Sequence, residues 1–141
     1  MSIQFKEPLK SAEWSIYQDK HFSVSIKNWT SQGLYGIENR WNVYAHVYDT
    51  HPLFGNVDAL LCLPFHWGAT YDKLIITQPA QGLKYDFDKV SKVYKIGSDY
   101  AHYDDHYEDC GEADGIPPMI RHDAETLARE LFEWLPNAEG V

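Results

Sequence analysis

The 141-residue chain predicts an α+β domain: an antiparallel sheet of four or five strands with one long C-terminal helix packed on it. Three observations carry that class. Segments between Trp14 and Ser98 alternate apolar and polar residues, the period of a strand with one buried face. From Ile120 onward the apolar residues recur at spacings of three and four, the period of an amphipathic helix. Finally, strands follow one another before the helix appears, which favours antiparallel pairing over βαβ crossovers. With 44% hydrophobic and 15% aromatic residues, the chain has the apolar mass for one core, and it reads as a single domain over residues 1–141.

Trp14 to Ile26 reads as a β-hairpin, with Trp14 and Ile16 facing Phe22, Val24 and Ile26 across the polar turn Gln18-Asp19-Lys20. Residues 28–40 hold two glycines and several turn-formers without a sustained period, and predict a loop. Trp41 to Tyr48 is the clearest strand. It sends Trp41, Val43, Ala45 and Val47 to one face and Asn42, Tyr44, His46 and Tyr48 to the other. Ala59 to Leu63 is apolar but is cut by Pro64, so it fits strand and helix equally. Ala69 to Thr77 and Lys89 to Ser98 predict two strands paired through the loop 79–88. In the closing helix, Ile120, Ala124, Leu127, Ala128, Leu131, Phe132 and Leu135 form the apolar stripe. Pro117 suits the first turn, Pro136 stops the helix, and Glu130 and Glu133 face water.

The formal charge is −9, and it is unevenly placed: residues 1–98 hold ten bases and nine acids, residues 99–141 two bases and twelve acids. No dense Lys/Arg cluster offers the counterion release that drives nucleic-acid binding, so DNA and RNA are excluded as direct partners. Neither a secretory signal nor a membrane span is read from the chain, and a cytoplasmic protein with Cys62 and Cys110 as free thiols is expected.

Three stretches hold the residue types that do chemistry. Residues 99–114, DYAHYDDHYEDCGEAD, contain seven acids and no base; Asp104, Asp105, Glu108 and Asp109 form an acidic face suited to a basic protein partner. His102, His106 and Cys110 recur at intervals of four and would share a helix face, with His66 as a fourth zinc ligand, but no tightly spaced ligand pair supports a metal and no cofactor is predicted. The second stretch, Leu63-Pro64-Phe65-His66-Trp67-Gly68-Ala69-Thr70-Tyr71, sets an imidazole between aromatics, as in a flat pocket wall. The third, Tyr48-Asp49-Thr50-His51-Pro52, prolongs the Tyr44, His46, Tyr48 face. If loops 49–58, 63–70 and 99–114 converge, His46, His51, His66 and His102 surround one cavity, with Tyr44, Trp67 and Tyr71 stacking on a planar ligand.

The runs Trp41 to Phe54, Leu63 to Tyr71 and Ile96 to Asp105, with the acidic closing helix, resemble small accessory proteins of tailed bacteriophages and prophages over roughly residues 40–135. Trp67 departs from that pattern, which tends to have glycine there. The resemblance implies host takeover or counter-defence by occupancy, in the host cytoplasm, and brings no catalytic residue. Two modes of occupancy follow: blocking a basic surface of a host or defence protein, or sequestering a small nucleotide-like ligand in the His/aromatic pocket. The alternative is a metal-dependent hydrolase built on His66, His102 and Asp104.

Overall fold

The computed structural model describes residues 11–33, 36–77, 91–101, 107, 110–111 and 115–136. Along the chain they form β1 (Ser11–Gln18), β2 (Phe22–Gly33), β3 (Gly36–Tyr48), α1 (Val57–Leu61), β4 (Tyr71–Thr77), β5 (Ser91–Asp99) and α2 (Pro118–Glu133). The five strands make one sheet in the order β1-β2-β3-β5-β4, antiparallel at every pairing. The α+β class and the C-terminal helix lying on the sheet are therefore as the sequence predicts.

Asp19 sets the first hairpin. Its Oδ1 accepts the backbone N–H groups of His21 and Phe22 at 2.6 and 2.9 Å, and its Oδ2 accepts the Tyr17 hydroxyl at 2.8 Å. An aspartate that satisfies the turn's own amides is a strong local stop for one strand and start for the next. The ladder shifts register between Ser15 and Tyr17, so Ile16 sits at a bulge.

The loop expected over residues 28–40 is instead strand at 28–33 and 36–40. β2 and β3 pair without interruption from Phe22↔Val47 to Gly33↔Gly36. Side chains bind this extension from both faces: the Asn28 amide donates to the Arg40 carbonyl at 3.0 Å, Arg40 Nε donates to Ser31 Oγ at 3.0 Å, and Arg40 Nη2 pairs with Glu38 at 2.9 Å. The turn-forming residues that suggest a loop here are held by cross-strand partners that local pattern does not reveal.

On one face of the sheet Phe22, Val24, Ile26, Trp41, Val43, Ala45, Val47 and Ile96 are buried, and Trp14 stacks on Trp41 with centroids 5.8 Å apart. Helix α2 lies across β1, β2 and β3 on that face, inserting Ile120, Ala124, Leu127, Ala128 and Leu131. Phe132, expected in the apolar stripe, is exposed, while Glu130 and Glu133 face solvent as their phase predicts. Pro117 stands at the N-cap, with Pro118 as the first helical residue. Asn56 caps α1 by accepting the Ala59 N–H at 3.2 Å, and the helix ends before Pro64. Leu53, Leu60, Leu63 and Phe65 from this connection complete the core. No helix among the described residues is long and apolar enough to cross a membrane.

Candidate functional site: an open cleft on the uncovered face of the sheet

The alternation that sends Val43, Ala45 and Val47 toward α2 sends Arg40, Asn42, Tyr44 and His46 to the opposite face. Register then chooses their neighbours. Trp29 lies opposite Arg40, Gly97 opposite both Tyr44 and Tyr71, and Lys95 between His46 and Lys73. This face holds an open cleft of about 880 Å³, lined by Trp29, Arg40, Asn42, Tyr44, Tyr71 and Asp99 among others.

The cleft owes its shape to Gly97. A Cβ built there would meet the Tyr44 ring at 2.3 Å, so glycine alone lets that ring lie down over β5. Tyr71, from the far side of β5, meets Tyr44 edge to face with centroids 6.0 Å apart. The Lys95 ammonium stands 4.2 Å from the centre of the Tyr44 ring and 5.6 Å from that of Tyr71. Asn42 is fixed at both ends, accepting the Trp29 indole N–H at 2.5 Å and donating to the Ser98 carbonyl at 3.3 Å. Trp29 is thus held by the sheet, while Asp99 adds a carboxylate to the lining. Burial, then the neighbouring Tyr71, holds the Tyr44 phenol above its usual range. Burial, then the Lys95 charge, holds the His46 imidazole below its own.

The binding residues expected from sequence divide between the two faces. Tyr44 and Tyr71 line the cleft, and His46 lies two residues beyond Tyr44 on the same face. His51 does not join them. It is 3% exposed on the helix side, edge-on to Phe22; its Nδ1 accepts the Leu53 N–H at 3.0 Å and its Nε2 donates to the Leu131 carbonyl at 2.9 Å. Those two bonds require the neutral imidazole with its proton on Nε2, satisfying a carbonyl in the last turn of α2.

His66 stacks on Tyr100 at 4.2 Å, and the Tyr100 hydroxyl donates to Asp123 Oδ2 at 2.5 Å, so it braces the 63–70 loop against α2. Trp67 is 63% exposed and is not among the cleft-lining residues. Its φ of 58° is the left-handed conformation that costs a side-chain-bearing residue about 1 kcal/mol.

His46 and His51 stand on opposite sides of the sheet, so the expected cavity ringed by histidines does not form. His102, Asp104, Asp105, Glu108 and Asp109 lie outside the described residues, as does His106. Among the described residues no three His, Cys, Asp or Glu side chains group as a metal site would require. Cys62 and Cys110 are free thiols.

Sequence reasoning missed Trp29, Arg40, Asn42, Lys95 and Asp99. The polar alternation Glu38, Arg40, Asn42, Tyr44, His46, Tyr48 runs unbroken through the predicted loop boundary, and following it backward would have exposed the first part of the cleft. No protein-family model, curated protein or solved structure matches this chain.

Proposed function

We propose that the protein binds, without turning it over, a small planar ligand in the cleft of the uncovered sheet face and acts by sequestering it. The observation that carries this reading is the tyrosine pair at Gly97: Tyr44 lies over the glycine, and Tyr71, edge to face with it and exposed, supplies an aromatic wall to a cleft of about 880 Å³. That volume is within the range of about 300–1,000 Å³ usual for small-molecule sites. The wall is joined by polar groups, Asp99 and Arg40, that select among flat rings by their edges. Sequestration is also an occupancy mechanism, which suits the counter-defence setting implied by the resemblance to phage accessory proteins.

Trp29 supplies the readout. Titrating the protein with nucleobases, nucleosides and other planar heteroaromatics should give a saturable change in tryptophan fluorescence for at least one class. Tyr71 is 40% exposed, so its replacement leaves the core intact. Tyr71→Ala should weaken binding about 5- to 150-fold, the loss of one stacking contact. Absence of saturable binding across the series, or equal binding by Tyr71→Ala, overturns the proposal.

A further inference from the structure

We infer that the ligand of this cleft is anionic, a nucleoside monophosphate whose phosphate sits on Lys95 between His46 and Lys73. The inference rests on the cleft reading above and adds the charge of the ligand. Register places His46, Lys95 and Lys73 side by side on three neighbouring strands, all on the uncovered face. Two lysines directly opposite each other repel, and a sheet normally avoids that pair or sets a carboxylate between. Here Lys73 and Lys95 have no carboxylate partner among the described residues. The acids on the same face belong to other rows: Glu13 lies opposite Lys27, Glu38 pairs with Arg40, and Asp99 lies opposite Asn42. A protein of net charge −9 thus sets, at the border of its aromatic cleft, a cationic row in which neither lysine is ion-paired among the described residues and whose nearest acid, Glu13, acts on His46.

The row also has the right reach. The Lys95 ammonium stands 5.6 Å from the centre of the Tyr71 ring, within the few ångströms that part a stacked base from its own 5′-phosphate. The same ammonium lies over the Tyr44 ring and covers it, which leaves the Tyr71 ring as the stacking surface. A base stacked on the exposed Tyr71 ring therefore directs its phosphate onto that ammonium, while Lys73 and the imidazole N–H of His46 approach from either side. Phosphate binding relieves the lysine repulsion and adds charge-assisted hydrogen bonds.

Calorimetry with the four ribonucleoside 5′-monophosphates and the matching nucleosides tests this, on the intact chain and on Lys95→Met and Lys73→Gln. At least one monophosphate should bind about tenfold or more tightly than its nucleoside, an advantage that shrinks as salt rises. Lys95→Met keeps the stem over Tyr44; it should bring the affinities for nucleoside and monophosphate within about twofold of each other. Lys73→Gln should fall between. Circular dichroism confirms that each variant is folded. Equal affinity for nucleoside and monophosphate overturns the inference and leaves the cleft reading intact. So does an undiminished phosphate advantage in Lys95→Met. Failure of both ligand classes to bind overturns the two together.

Discussion

Along β3, Trp41, Val43, Ala45 and Val47 are buried beneath the helix, while Arg40, Asn42, Tyr44 and His46, one residue out of step, line or border the cleft. The covered set is explained by packing: aliphatic and aromatic groups interlock with α2, and His51, buried on that side, is bonded at both ring nitrogens. The uncovered set is not explained that way. It contains a glycine that gives up side-chain packing so that a tyrosine ring can lie flat, and two facing lysines that weaken the sheet. Side chains that cost stability on an otherwise well-made sheet are where binding is to be sought.

The sharpest way to break this contrast is to attack the covered face. Trp41 is 1% exposed, stacks on Trp14 and donates its indole N–H to the Cys110 carbonyl at 2.6 Å. Trp41→Ala should cost about 3–5 kcal/mol in urea unfolding, from the cavity it leaves and the bond it loses. A loss below about 1 kcal/mol would mean that the face is not the core.

On the uncovered face, Gly97→Ala should cost about 1–3 kcal/mol, since the new methyl group overlaps the Tyr44 ring. In a Tyr44→Ala background the same change should cost clearly less, with only the Val43 carbonyl at 3.1 Å left in its way. A double-mutant cycle measures that coupling directly, and strict additivity would show that the ring does not lie on the glycine.

A smaller effect separates the two histidines by pH. Burial holds the folded-state pKa of His51 below the ordinary value of 6.5. The unfolded chain therefore takes up the proton first, and the contribution of His51, complete above pH 6.5, is lost as pH falls through the lower folded value. His46 has the same sign for a different setting, burial beside Lys95. Stability should thus fall on acidification from pH 7 to pH 5. His51→Gln should flatten that slope while costing about 1–2 kcal/mol at pH 7 through its two lost bonds. His46→Gln should flatten it with little cost at pH 7, because no hydrogen bond among the described residues depends on that ring. Thermal melts across the range distinguish the two.

How much of this was legible in the chain varies by element. The first hairpin, the strand through Trp41 to Tyr48 and the last helix follow from spacing, because the apolar side of each is written in consecutive residues. Residues 28–33 and 36–40 were not legible as strand, since Gly33, Gly36 and the polar Asn28, Ser31 and Asn39 carry turn signals that pairing overrides. Tyr44, Tyr71 and His46 could be singled out as candidates for the uncovered face. The role of His51 could not, for nothing local indicates that the Leu131 carbonyl, eighty residues away, is its partner.

Local pattern alone settled that the chain makes an apolar-faced sheet and an amphipathic helix, because hydrophobic period depends on near neighbours. It did not settle which strand lies beside which. Only the folded arrangement inserted β5 between β3 and β4, and with it brought Gly97 between Tyr44 and Tyr71 and Lys95 between His46 and Lys73. Strand order is decided by long-range hydrogen bonding and by how the buried faces share one helix, and those energies belong to contacts that no short window of sequence contains.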